Sequence, residues 1–386
     1  MAGGGPDFDL TDDELRRAGS IKWVYGDGVL PAWVAEMDVR PCPAVAAALH
    51  DAVDRGDLGY PPPVTRGLPE ALAGFAAARL GWDVDPADVV QTGDVMAGIL
   101  LTIRTVCEDA PVVVPVPSYP PFLQGVPLTG RPLVTVPCAV SADGPDAGRP
   151  VLDLDAIGDA FAAGGRTLLL TNPHNPLGRA FTAGELAAVA ALADRYGARV
   201  ISDEVHAPLV LPGARHVPYA TTGDPRAITV TAASKAFNIP GAKCAQIVPA
   251  AAVDRLALGA LPTVANHGTS PLGVAASIAA YRDGGPWLDG VVAHLDARRA
   301  QFGELLAEHL PQVSWWPMEA TYLAWVDARA VSEKPARVAM LKGNVMVNDG
   351  ETFGPGLGYA GFARVNLGTS AERLERIVRS LATAWS

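Results

Sequence analysis

Thr167-Leu-Leu-Leu-Thr-Asn-Pro-His-Asn-Pro-Leu-Gly178, continued by Thr182 to Tyr196 and by Arg199-Val-Ile-Ser-Asp-Glu204, decides the fold. The stretch opens on a short apolar run and breaks at two Asn-Pro steps and a glycine. A helical pattern and a second β-branched run follow. Thr182 suits a helix N-cap, and Glu185 stands three residues on, at the capping-box position. Strand, amphipathic helix and strand, with both strands continuously apolar, are the mark of a parallel sheet covered on both faces.

Working outward, Val112-Val-Val-Pro-Val lies on one side and Ala227-Ile-Thr-Val-Thr on the other, each reading as a further strand. Leu68 to Leu80 reads as a helix, with Pro69 near its start and Gly81 just past its end. In sheets of this kind the ligand crevice lies outside the carboxyl ends of the strands. Three polar clusters, at 172–178, 203–206 and 234–235, directly follow strands, so they are expected to meet at one edge. From about Tyr281 the pattern changes. A long helix from about Trp287 to His309 precedes short strands around Tyr322–Val326 and Val345–Val347, which predicts a second, smaller α/β unit. The glycine-rich tip of residues 1–20 is expected to be mobile.

Composition narrows the function. The 386 residues are 49% hydrophobic and 18% charged, enough apolar mass for a folded core. The 40 glycines show no three-residue period, which excludes a collagen-like fibre. The formal charge of −11 argues against a nucleic-acid surface. No run approaches a membrane helix, and Met1-Ala-Gly-Gly-Gly-Pro-Asp does not read as a signal peptide. Cys42, Cys107, Cys138 and Cys244 are isolated, framing neither disulfides nor a metal site, so a cytoplasmic setting is expected.

Lys235 follows Ser234 directly after a strand; alone, such a lysine is most often a solvated side chain. Asp203 and Asn175 follow two other strands. An amine, a carboxylate and an amide at adjacent strand ends suit pyridoxal phosphate: the lysine forms a Schiff base with the aldehyde, the carboxylate pairs with the pyridinium nitrogen, and polar groups hold the ring oxygen.

Asn172-Pro-His-Asn-Pro-Leu-Gly178, Ser202-Asp-Glu-Val-His206 and Ala233-Ser-Lys-Ala-Phe-Asn-Ile-Pro-Gly241 resemble the class I/II aminotransferase family of fold-type I pyridoxal phosphate enzymes. Leu30-Pro-Ala-Trp-Val-Ala-Glu-Met-Asp38, Tyr119-Pro-Pro-Phe122, Ala280-Tyr-Arg-Asp-Gly-Gly-Pro-Trp-Leu288, Thr321-Tyr-Leu-Ala-Trp325, Phe353-Gly and Arg364-Val-Asn366 are similar to its MalY/PatB-type branch of C–S β-lyases. The resemblance implies a mostly parallel seven-stranded sheet flanked by helices in a large domain at 45–284. It also implies a small α/β domain from both chain ends, 1–44 and 285–386.

The resemblance also implies roles. Lys235 matches the Schiff-base lysine, Asp203 the pyridinium partner and Asn175 the donor to the ring oxygen. His206 stands where aminotransferases usually have a tyrosine donor. Tyr119 matches the aromatic residue stacked on the ring and Arg364 the arginine that grips the substrate carboxylate with its planar fork. Gly93, Asp94 and Val95 match the phosphate loop at a helix N-terminus, Ser234 would add a hydroxyl, and Tyr60 matches a residue reaching the phosphate of the neighbouring subunit in a homodimer. Trp33 and Ala35 would lie by the substrate; Tyr322 and Trp325 fit packing as well. Two departures stand out. Asp94 would repel a phosphate unless it points away or caps a helix, and Lys243, which falls where aminotransferases have a phosphate-binding arginine, is expected to supply the phosphate counter-charge and offset Asp94. Glu36 replaces the aspartate of the usual Ala-Asp-Met-Asp. The implied reaction is α,β-elimination from an S-substituted L-cysteine such as cystathionine, giving a thiol, pyruvate and ammonia. An aminotransferase using the same residues, a specialised lyase acting on a large thioether, and a regulatory protein are the alternatives.

Overall fold

The computed structural model describes residues 5–62, 65–142 and 147–386; the extreme tip whose mobility the sequence predicts lies outside the described residues. Seven strands, β1 (Val90–Thr92), β2 (Val112–Val116), β3 (Leu133–Pro137), β4 (Thr167–Thr171), β5 (Arg199–Asp203), β6 (Ile228–Thr231) and β7 (Ala245–Pro249), form one sheet in the order β1-β7-β6-β5-β4-β2-β3. Only β7 runs antiparallel to its neighbours.

The continuous apolar strands follow from burial on both faces. Leu168, Leu170 and Val200 meet Ile157, Phe161, Leu186 and Val189 on one side. Leu169, Ile201, Ile228 and Val230 meet Ile99, Ile103 and Phe122 on the other. Each such side chain contributes about 1.5–3 kcal/mol relative to exposure. The helix Ala183–Tyr196 has the expected capping box at Thr182 and Glu185 and ends at Gly197, whose φ of 65° lies in the left-handed region. The helix expected over 68–80 is α-helical from Leu68 to Phe75 and closes in a π turn, Ala76–Leu80, before Gly81.

A second, antiparallel sheet comprises β8 (Ser314–Trp315), β9 (Leu323–Asp327), β11 (Phe362–Asn366) and β10 (Asn348–Asp349), in that order. The predicted long helix runs from Gly285 to His309. Leu30–Pro31 pairs in parallel with Val345–Met346, bringing the N-terminal segment against the C-terminal part of the chain. One core holds Leu30, Ala32 and Met37 together with Phe237, Leu323, Val345 and Leu374. The four cysteines are unpaired. Among the described residues no helix is long and apolar enough to cross a membrane.

Candidate active site

Strand register builds the site. Thr171 pairs with Asp203 and Asp203 with Val230, so β4, β5 and β6 end level with one another. The three polar clusters leave the sheet at this one edge. The Asn172 N–H donates to the Asp203 carbonyl at 2.9 Å, tying the first loop to the second. Lys235 sits in the turn after β6, with Ser234 just before it.

Burial displaces Asp203, His206 and Lys235. Asp203 is pushed up to about 7, chiefly by desolvation; the Val205 N–H at 3.1 Å opposes this and the neighbouring Glu204 adds to it. Glu204 is itself held by Ser202 Oγ at 2.9 Å, the Tyr219 N–H at 2.8 Å and His216 Nε2 at 3.1 Å. Burial lowers His206 to about 3, so it is neutral at physiological pH. Lys235 is lowered to about 8, again mainly by burial, and its Nζ donates to the Ala35 carbonyl at 2.9 Å.

Arg364 enters from β11 in the second sheet. It donates to Asn175 Oδ1 at 2.9 Å, to the Trp33 carbonyl at 3.0 Å and to Asn348 Oδ1 at 2.6 Å, and lies 5.0 Å from the Phe353 ring. Burial brings it down to about 10, still a cation at neutral pH. Tyr119, at the start of the helix Pro120–Gly125, is half-buried, and desolvation raises its hydroxyl; Arg364, Asp203 and Asp94 all act on it, which places it among the site's charges.

The phosphate-loop residues stand as expected in one respect and differently in another. Asp94 caps the helix Val95–Val106, accepting the Ala97 N–H at 2.8 Å, so its carboxylate turns into the helix end. Lys243 pairs with its other oxygen at 2.8 Å. Burial raises Asp94, but Lys243 and the backbone donors outweigh it and hold the carboxyl below its usual range. Lys243 thus meets Asp94 directly. Gly93 must be glycine: an added Cβ would lie 2.8 Å from the Gly268 backbone. Tyr60 stands apart, 89% exposed with its ring 5.6 Å from that of His267.

Trp33 and Ala35 reach the site through their carbonyls. They belong to a strap, residues 33–38, whose backbone is gripped along its length. Asn366 Nδ2 donates to the Val34 and Glu36 carbonyls, Lys22 Nζ to the Glu36 carbonyl, and Asn238 bonds both the N–H and the carbonyl of Met37. Tyr322, readable from sequence as packing, donates its hydroxyl to the Ala35 carbonyl at 2.9 Å. Beneath the strap, Lys22 and Asp38 form a fully buried ion pair at 2.9 Å. Sequence reasoning missed Lys22, Asn238, Asn348 and Asn366; Asn238 and Asn366 lie inside quoted motifs, but nothing in their spacing points to a backbone partner.

The donor set fits pyridoxal phosphate. His206 Nδ1 and Arg364 Nε are buried with no hydrogen-bond partner among the described residues, and a neutral histidine offers a donor to a ring oxygen. Asp203 is a buried carboxylate of the kind a pyridinium would stabilise, and Lys235 is an amine partly deprotonated at neutral pH.

The model of the family "Aminotransferase class I and II" matches residues 34–381. The chain is 38% identical to the cystathionine beta-lyase of Corynebacterium glutamicum over 96% of this chain and 98% of that one. It is 32% identical to the cystathionine beta-lyase PatB of Bacillus subtilis, over 98% and 100%. A crystal structure of the PLP-bound C–S lyase from Staphylococcus hominis superposes with a TM-score of 0.88 at 25% identity, covering 98% of each chain. The chain belongs to the aminotransferase class I and II family.

Proposed function

We propose that the chain is a pyridoxal-phosphate-dependent C–S β-lyase that cleaves an S-substituted L-cysteine, such as cystathionine, to a thiol, pyruvate and ammonia. The observation that carries this reading is the meeting of Lys235, Asp203, Asn175 and Arg364 at one sheet edge, in a chain similar over nearly its whole length to cystathionine beta-lyases.

Bound pyridoxal phosphate supplies the electron sink for a carbanion at Cα. Arg364 binds the substrate carboxylate, and its grip on Asn175 and Asn348 fixes the guanidinium plane. Lys235, with proton affinity lowered to near pH 8, takes the Cα proton and can hold it. Asp203 would hold the proton on the ring nitrogen. His206 and Asn175 would hold the ring oxygen, Tyr119 would stack on the ring, and the Gly93–Val95 turn with Ser234 would offer donors to the phosphate. Tyr60, exposed within one chain, would complete the phosphate site of a second copy, which makes the enzyme a homodimer.

The experiment is incubation of the purified holoenzyme with L-cystathionine, with and without 2-oxoglutarate. Pyruvate and free thiol are expected without the keto acid. Turnover that depends strictly on the acceptor would replace the lyase reading with an aminotransferase.

A further inference from the structure

We propose that Glu319 is a positioning residue: it clamps the exit of the 172–178 loop so that Asn175 stays aimed at the cofactor's ring oxygen. The proposal rests on the reading of this sheet edge as a pyridoxal phosphate site. Glu319 lies between β8 and β9 of the second sheet, yet it bonds a loop of the first. Its N–H and that of Ala320 both donate to the Gly178 carbonyl, at 2.7 and 3.0 Å. Its carboxylate closes over the next two residues of the loop. Oε2 accepts the Ala180 N–H at 2.9 Å and Arg179 Nε at 3.1 Å, while Oε1 accepts from Arg149 at 2.8 and 3.0 Å. Arg179 is fully buried and also meets the Glu185 carboxylate at 2.9 and 3.0 Å and the Pro150 carbonyl. The charges balance, Arg149 and Arg179 facing Glu185 and Glu319.

Asn175 sits inside the span that this clamp closes. The His174 N–H donates to the Arg179 carbonyl at 2.7 Å, and the Gly178 N–H donates to the His174 carbonyl at 2.8 Å. A shift at Arg179 therefore moves the chain on both sides of Asn175. The crossing has no slack, because a Cβ added to Gly178 would run into Met318. The same segment reaches the turn that carries His206. The Glu319 carbonyl accepts the Leu211 N–H at 2.9 Å, and the Thr321 N–H donates to the carbonyl of Leu209, whose own N–H donates to that of His206. Arg364, which donates to Asn175 Oδ1, comes from β11 of the second sheet as well. That sheet thus grips Asn175 twice, at its side chain through Arg364 and at its loop through Glu319. With Oδ1 taken, the Nδ2 hydrogens are the donors left for a ring oxygen, and their aim is only as firm as the backbone behind them.

The test reads the absorbance of the lysine-bound cofactor across pH in the holoenzyme. A donor on the ring oxygen favours its anionic form, so weakening that donor raises the pH midpoint. Glu319→Gln keeps the size but can no longer accept at both oxygens, and its midpoint is expected to rise by about half a pH unit to one unit. Arg149→Met removes an outer partner without touching the loop. It is expected to lower the urea midpoint and leave the absorbance midpoint at the wild-type value. In an Asn175→Ala background, Glu319→Gln is expected to add no further shift, because the two act in series. An unchanged absorbance midpoint in folded Glu319→Gln, a shift that persists in full without Asn175, or an equal shift in Arg149→Met overturns the proposal. If Glu319→Gln fails to fold, Glu319→Asp, one methylene short of spanning both arginines, carries the same expectation and the same refutation. Failure of the wild-type chain to attach the cofactor at Lys235 would instead sink the functional reading beneath it.

Discussion

The sheet edge and the strap meet at Lys235, yet they are built on opposite principles. At the edge, a rigid backbone carries side chains that do the chemistry: Asn175, Asp203 and Lys235 leave strands whose register is locked by pairing. In the strap, the backbone carbonyls of Trp33 and Ala35 are the groups presented, and borrowed side chains from Lys22, Asn238, Tyr322, Arg364 and Asn366 hold them in place. Damage to the edge should therefore cost activity while sparing the fold. Damage to the clamps beneath the strap should cost the fold as well.

The largest separation is expected from Lys235→Ala, which should lower turnover by about 10³-fold or more and abolish the lysine-bound cofactor absorbance while the urea midpoint stays near wild type. Lys22→Met breaks the comparison from the other side. It leaves the buried Asp38 with only the Trp23 indole N–H at 2.8 Å and Arg373 at 4.0 Å, and urea unfolding should show a loss of about 3 kcal/mol. Lys22→Met combined with Asp38→Leu should recover most of that loss, and failure to recover would mean that the pair is not what fixes the strap. Arg364→Lys is next, with kcat/KM expected to fall about 30- to 100-fold, since a point charge replaces a fork that also holds Asn175 and Asn348.

The smallest effect has the opposite sign. In the cofactor-free protein the folded-state proton affinity of Lys235 lies near pH 8, below the ordinary value of 10.5. Between these values the unfolded chain binds the extra proton, so stability rises with pH; below pH 8 the full penalty is present. Lys235→Met should therefore be more stable than wild type at pH 7, on the order of 2 kcal/mol after the lost hydrogen bond is counted. The gap should close between about pH 8 and 10.5. A gap that does not change with pH would contradict burial of the amine.

The contrast also explains what could be read in advance. Leu168, Leu169 and Leu170 announce a strand buried on both faces, and level strand ends then bring Asn175, Asp203 and Lys235 together. The strand Leu133–Pro137 was less plain, because its residues are mostly half-buried and its pattern is weak. The clamps were unreadable for a deeper reason. A carbonyl is the same at every position, so nothing in Trp33 or Ala35 marks its oxygen as special. Asn348 reaches Arg364 through cross-strand register, which no spacing in the chain reveals. Nothing in the spacing of Lys22 and Asp38 marks them as a buried pair. Tyr60 is a different case, because its expected partner lies outside a single chain.

The Ala35 oxygen accepts from two donors, Lys235 Nζ and the Tyr322 hydroxyl. A carbonyl with one donor would be left bare whenever its lysine turned to another bond, and a bare buried acceptor is costly. Here the tyrosine stays behind. The lysine can be handed from structural duty to chemical duty and back without the wall of the pocket coming loose at each turnover.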